Sequence, residues 1–334
     1  MAFACGMLLL LPLNGYAQQT VRGDVNGNGV VDIDDVNAVI NIMVHKADPT
    51  AAADVNGDGA VDIDDLNIII NIMLGKIPDN TPETKTYTVN GVSFKMVAVE
   101  GGTFTMGASD DDNEAGYYEK PAHQVTLSSY SIGETEVTQA LWVAVMGSNP
   151  SWFNGYQSSD DFDYGTNLQH PVEYVSWNDC QEFIAKLNQL TGATFRLPTE
   201  AEWEFAARGG NKSKSYKYSG SNTLDDVAWY YDNSAALGRG NPNYGPHTVA
   251  TKSPNELGLY DMSGNVYEWC QDFFGKYSSG AQVNPTGPAN DSSSSHVLRG
   301  SSFIGNTSNC RVSYRFSMEP WYLSGNFGLR LALE

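Results

Sequence analysis

Two short stretches place oxygen-bearing side chains at matched intervals. DVNGNGVVDIDD begins at Asp24, and DVNGDGAVDIDD begins 30 residues later at Asp54. Position one is Asp24 or Asp54, position three Asn26 or Asn56, and position five Asn28 or Asp58. Gly29 and Gly59 permit a sharp turn, and Val30 and Ala60 offer a backbone carbonyl. Asp32 and Asp62 stand at position nine, and Asp35 and Asp65 close each stretch at position twelve. Hard oxygens at this spacing can converge on one calcium ion. A chance pair of surface Asx turns would need the same coincidence twice in one register. Two bound calcium ions are therefore expected.

Other chemistry is sparser. Cys180, Cys270 and Cys310 follow a fourth cysteine, Cys5, in the leader. Three thiols form at most one disulfide and leave one over, and the spacing does not choose the pair. His45, His123, His170, His247 and His296 form no close cluster. There is no G-x-S-x-G elbow and no phosphate loop. Carboxylates are numerous enough to include a glycosidase pair, but nothing singles one out.

Composition bounds the partners. The 334 residues carry a formal charge of −20, from 39 acidic and 19 basic residues, which argues against nucleic acid and anionic membranes. Residues 1–17 have an apolar core, Met7 to Leu13, then small residues at Gly15-Tyr16-Ala17, as in a signal peptide. No other apolar run is long enough to insert in a membrane. A secreted, extracellular or cell-surface protein is expected. Its parts are a signal peptide at 1–17, a first domain at 22–77, a linker at 78–86 and a second domain at 87–334.

One helix must follow each acidic loop. Val36, Val39, Ile40 and Met43 recur at helical spacing, as do Leu66, Ile69, Ile70 and Met73. A duplicated EF-hand-type loop and helix with Asp at position twelve resembles the type I dockerin, a small all-α module. The resemblance covers the whole of 22–77 and implies docking on a cohesin-bearing scaffold protein. The residues implied to read the cohesin are Ile33-Asp34 and Ile63-Asp64. They are identical in the two repeats, as an either-way-round docking surface requires.

The second domain centres on FRLPTEAEWEFAARGG, Phe195–Gly210. Thr199 and Glu202 form a capping box, and Glu200 and Glu202 suit the helix dipole. Trp203, Ala206 and Ala207 make the buried stripe, and Gly209-Gly210 stops the helix. Before it, Tyr87–Met106 reads as two strands with a turn at Asn90-Gly91, and His123–Leu127 as a strand. A helix carries Leu141, Trp142 and Val145. Pro171–Trp177 reads as a strand, and Ser176 and Asp179 cap a helix carrying Cys180, Phe183, Ile184 and Leu187. Ala228–Tyr231 reads as a short strand.

The signature, with GGTFTMG, ETEVTQ, HPVEYVSW, GLYDMSGNVYEW and GLRLAL in that order, resembles the sulfatase-modifying-factor (formylglycine-generating enzyme) family over residues 90–334. The implied fold is α+β, an irregular C-type-lectin-like domain. The resemblance implies calcium held by the side chains of Asp261 and Glu268 and the carbonyls of Gly264 and Val266. It also implies an oxidase in which two cysteines five positions apart hold copper. Here the first falls on Gly305 and the second is Cys310, with Ser302 matching a serine of that site. One thiolate cannot make a two-sulfur copper site, so copper is not expected. Cys310 and Ser302 are the only catalytic candidates. The histidine-rich iron domain of ergothioneine-type sulfoxide synthases is absent.

Ile304, Phe316, Met318, Trp321, Tyr322 and Leu323 lie between the family's fixed letters. A binding-only branch of this fold, including the variable proteins of diversity-generating retroelements, displays contact residues in the matching region. Phe316, Met318, Trp321 and Tyr322 are accordingly candidates for binding a glycan or protein ligand, and core closure is the alternative. Three functions stay open: a dockerin-attached ligand-binding protein, an active formylglycine-generating oxidase acting on exported proteins, and a structural spacer of a surface assembly.

Overall fold

The computed structural model describes residues 22–28, 30–50, 52–56, 60–74, 84–155, 167–289 and 294–333. The leader at 1–17, Gly29, Asp58, Gly59 and linker residues 78–83 lie outside the described residues. The chain divides into two compact units, Met1–Thr81 and Pro82–Glu334.

In the first unit, the acidic loops lead into α1 (Ile33–Met43) and α2 (Ile63–Met73). The aspartate at position nine is also the N-cap: Asp32 Oδ1 accepts from Asp34 N at 2.8 Å, and Asp35 Oδ2 accepts from Asp32 N at 2.9 Å. Asp62 and Asp65 repeat the arrangement. Val36, Val39, Ile42, Ala53 and Ile69 form the core. The buried seam differs from the expected one. Ile40, Ile70 and Met73 are exposed, whereas Ile42 and Ile72 are buried. Two short helices bury a narrow i, i+3 seam against each other, and the i+4 residues of the expected stripe fall outside it. Ile33, Ile40 and Val44, with Ile63, Ile70 and Leu74, leave matching exposed apolar residues on the two helices.

The second unit begins with β1 (Thr84–Val89), β2 (Val92–Val99) and β3 (Gly102–Met106). Asn90 and Gly91 both have positive φ, 49° and 83°, and close the β1–β2 hairpin. Residues 84–86, expected in the linker, already pair in β1, with Thr84 opposite Val97. There follow β4 (His123–Leu127), β5 (Tyr130–Gly133), α3 (Gln139–Met146), α4 (Trp177–Thr191), β6 (Phe195–Arg196), α5 (Glu200–Ala207) and α6 (Leu224–Val227). The last strands are β7 (Tyr267–Phe273), β8 (Gln282–Val283), β9 (His296–Arg299), β10 (Phe316–Met318), β11 (Phe327–Leu329) and β12 (Ala332–Leu333). Among the described residues the strands form three sheets, ordered β1-β2-β5-β12-β6, β10-β9-β7-β11 and β3-β4-β8. Among the described residues, no helix is long and apolar enough to cross a membrane.

Helix α5 is buried on every side. Thr199 Oγ1 accepts from Glu202 N at 3.2 Å and Glu202 Oε2 accepts from Thr199 N at 2.8 Å, the expected box. Its glutamates do more than favour the dipole. Glu200 receives both arms of Arg315 at 2.6 Å. Glu202 receives Arg196 at 2.6 and 2.7 Å. Glu204 receives Arg299 at 2.6 Å and Arg208 at 2.7 Å. Burying carboxylates is tolerable only with such partners.

Two expected strands are absent. Along 171–176 only Pro171 makes a bridge, to Thr138. The rest of the stretch is shared among other partners: Val172 N donates to Val137 O, Glu173 N to Ser151 Oγ and Tyr174 N to Ser324 O. Tyr174 sits at φ 62°, which breaks the extension. Ala228–Tyr231 is likewise irregular, with Tyr230 N bonded to Asn233 Oδ1 and Tyr231 N to Gly305 O.

Candidate calcium loops and a candidate binding cleft

The first loop is wound by its own side chains. Asn28 N donates to both Asp24 Oδ1 at 3.0 Å and Asn26 Oδ1 at 2.9 Å, so these two oxygens share one side of the turn. Asn28 Oδ1 accepts from Val30 N at 2.8 Å. Asp35, fully buried, draws the ends together: Oδ1 accepts from Val25 N at 2.8 Å and Asn26 N at 3.0 Å. Asp65 does the same for the second loop through Val55 N at 2.7 Å and Asn56 N at 3.0 Å. Among the described residues, no three His, Cys, Asp or Glu side chains gather as a metal cluster. The loop donors are instead a mixture of carboxylate, amide and carbonyl oxygens, the set that fits calcium. Ile33, Asp34, Ile63 and Asp64 are all exposed at the helix starts.

Asp261 and Glu268 are both buried in the second unit. Asp261 Oδ2 accepts from Ala250 N at 2.8 Å, and Oδ1 has no hydrogen-bond partner. That end suits a cation. The other end already has one: Glu268 receives Arg330 Nη2 at 2.7 Å and Trp203 Nε1 at 2.6 Å. Gly264 N donates to Gly300 O and Val266 N to Glu136 Oε1. Glu136 is a third carboxyl here that the sequence did not mark. Burial, then the charges of Asp261 and Glu268, push it well above the usual carboxylate range. The residues thus fit calcium at Asp261 and compete with it at Glu268.

The thiols stand apart. Cys180, Cys270 and Cys310 are all free and buried, so the disulfide that the count allowed does not form among them. They belong to three different apolar clusters. Cys310 packs with Tyr218, Leu224, Val227, Ala228 and Tyr230, and burial pushes its thiol up to about 12. A thiol held neutral is a poor nucleophile and a poor metal ligand. At Gly305, an added Cβ would overlap Ser301 Oγ. The residues present do not fit a two-thiolate copper centre.

Close to Gly305 in sequence lies a cleft of about 290 Å3. Trp152, Phe153, Tyr174, Tyr244, Phe303 and Ile304 line it, with Arg239 and the stretch Leu323–Asn326. Phe153 meets Phe303 edge-on at 5.5 Å, and Trp152 and Tyr174 stand 6.0 Å apart. Ser302, fully buried, accepts from Asn326 Nδ2 at 3.2 Å, behind that lining. Cys310 is not part of the lining. None of the four residues expected to bind ligand lines the cleft: Trp321 and Tyr322 are exposed outside it, and only their neighbours Ile304 and Leu323 belong to the lining. Phe316 and Met318 are half-buried on β10, packed on the core, with Phe316 5.3 Å from Tyr267. The Trp152–Phe153 wall was not legible in the sequence, because the loop bearing it has no periodicity.

Comparison with known proteins places both units. The sulfatase-modifying factor enzyme 1-like domain matches residues 82–334. The chain belongs to that family. The type I dockerin domain matches residues 22–84, so the sulfatase-modifying-factor domain follows a dockerin. A dockerin of this type implies calcium and a cohesin partner. A chaperone protein LppX of Paenibacillus barcinonensis is 32% identical over 72% of this chain and 89% of its own length. A formylglycine-generating enzyme of Streptomyces coelicolor is 31% identical over 71% and 88%. Among solved structures, Treponema denticola variable protein 1 superposes with a TM-score of 0.64 at 35% identity, covering 76% of this chain and 99% of that one. PvdO from Pseudomonas aeruginosa shares the fold, with a TM-score of 0.55 at 24% identity over 71% and 93%.

Proposed function

We propose that this is a secreted, two-part binding protein. The dockerin holds two calcium ions and attaches to a cohesin-bearing scaffold through Ile33-Asp34 and Ile63-Asp64. The sulfatase-modifying-factor domain, of C-type-lectin-like fold, holds a glycan or protein ligand in its aromatic cleft without oxidase chemistry. A calcium ion held by Asp261, Glu268 and the Gly264 and Val266 carbonyls belongs to this reading, supported by the partnerless Asp261 Oδ1. The observation that carries the ligand reading is the pairing of an open aromatic cleft with a thiol site that lacks its second cysteine. Cys310 is buried among apolar side chains beside Ser301, whose hydroxyl takes the place of a Gly305 side chain.

Likeness to formylglycine-generating enzymes supports the oxidase as a second reading. Copper titration and mass spectrometry of a cysteine-containing sulfatase peptide separate the two. The expected result is no stoichiometric copper–thiolate site and an unchanged peptide. Conversion of cysteine to formylglycine, dependent on Cys310, would establish the oxidase. A panel of oligosaccharides and exported proteins tested against Trp152→Ala separates a binding domain from a spacer. Docking is tested by pairs: Ile33→Ala with Asp34→Ala, or Ile63→Ala with Asp64→Ala, leaves most cohesin affinity, and all four changes abolish it. Near-complete loss from one pair alone would mean that a single face docks.

A further inference from the structure

Behind the cleft lies a carboxyl group only half used by the domain. Glu173 is 0% exposed. Its Oε1 accepts from Phe153 N at 2.8 Å and so tethers the Trp152–Phe153 wall. Its Oε2 is buried with no hydrogen-bond partner. A buried polar atom without a partner costs more than an ordinary hydrogen bond contributes, and native proteins keep few of them. Gly325 locates this atom relative to the cleft, whose lining it forms. A Cβ at Gly325 would stand 3.4 Å from Glu173 Oε2, 3.5 Å from Trp152 Cβ and 3.6 Å from Phe153 Cε2. With glycine there, residue 325 puts no side chain between Oε2 and the lining, and the Trp152 and Phe153 side chains stand close by.

We propose that the cleft receives a lysine side chain presented by a polypeptide, with its ammonium paired to Glu173 Oε2 beside Gly325 and its stem against Trp152 and Phe153. This rests on the ligand-binding reading of the cleft. Only one carboxylate oxygen is available, since Oε1 already serves the Phe153 amide. A single acceptor suits a compact ammonium, whereas a guanidinium fork matches two. Aromatic faces attract an ammonium and accept its methylene stem. About 290 Å3 accommodates a long side chain rather than a folded surface. The overall charge of −20 draws cations towards the protein. Burial pushes the Glu173 carboxyl up to about 8 against the opposing hydrogen bond of Phe153 N. An arriving ammonium therefore displaces a proton.

The test is calorimetric titration of the full chain with acetyl-Gly-Lys-Gly-amide and two counterparts bearing acetyl-lysine or norleucine. The lysine peptide is expected to bind at least about ten-fold more tightly than either. Glu173→Gln should erase that preference while keeping the acceptor for Phe153 N, and Trp152→Ala should weaken all three. If Glu173→Gln does not fold by circular dichroism, the lysine-to-norleucine ratio in the unmodified protein decides alone. Equal affinity for lysine and norleucine overturns the proposal and leaves the cleft as a binding site. Failure of every peptide overturns it too. The cleft reading then stands if a cello-oligosaccharide binds in a Trp152-dependent way, and falls if it does not.

Discussion

Ser301 occupies the left-handed region at φ 70°, an uncommon place for a residue with a side chain, and is fully buried. Its hydroxyl takes the space beside Gly305. A cysteine at 305 therefore requires the Ser301 hydroxyl to turn away. Gly305→Cys alone is expected to lower stability by about 1–3 kcal/mol through overpacking. Adding Ser301→Gly should recover part of the loss, a coupling that denaturant unfolding of the double-mutant cycle would measure. The missing thiol was legible in the sequence, because Gly305 has no side chain. The plug was not, because nothing in the letters RGSSF reports a backbone angle. Glu173 was equally silent, an acid in a stretch that read as a strand. Its carboxyl is pushed up to about 8 from an ordinary 4.5, so its contribution to stability is fully present below the ordinary value and is lost as pH rises through about 8. Glu173→Gln lacks that titration. The unmodified protein should lose melting temperature relative to the variant between about pH 5 and pH 9. A constant difference across that range would sink the assignment.

Helix α5 shows how local and distant rules combine. Its cap, its glycine stop and its buried Trp203 followed from the letters, since caps and stops are made by neighbours in sequence. Thr199→Ala should cost about 1 kcal/mol in chemical unfolding, the ordinary worth of such a cap. Arg208 donates to Glu204 from one turn on, but Arg315, which donates to Glu200, and Arg299, which donates to Glu204, come from 115 and 95 positions away, beyond any local pattern. The same division holds in the dockerin. Loop spacing and helix starts were legible, but the seam was not, because two short helices bury a narrower face than periodicity alone suggests. Asp32, Asp35, Asp62 and Asp65 are at once candidate ligands and caps of α1 and α2. Calcium removal should therefore unwind the helices rather than merely empty the loops. Circular dichroism of residues 22–77 in chelator tests this, and unchanged helix content would count against it.

At the scale of the whole molecule, the acidity has two origins that one net charge hides. Some acids crowd the dockerin loops, where the calcium that a type I dockerin implies would offset them. Others are buried in the second unit against arginines. The chain should accordingly respond to chelator and to acid in different places. Scanning calorimetry of the full chain is expected to show a transition that moves with calcium, beside another that weakens in acid as Glu204 protonates, since its burial is outweighed by Arg208 and Arg299 and its carboxyl lies below the usual range. The buried pairs have a further consequence. Glu119, Glu200, Glu204 and Glu268 all precede their partners Arg311, Arg315, Arg299 and Arg330. Four arginines from the last strands and loops thus neutralise acids laid down much earlier. Protease pulses on ribosome-arrested chains should find those halted before residue 299 cleaved throughout the second unit. Until Arg330 has emerged, Glu268 lacks the arginine it is buried against.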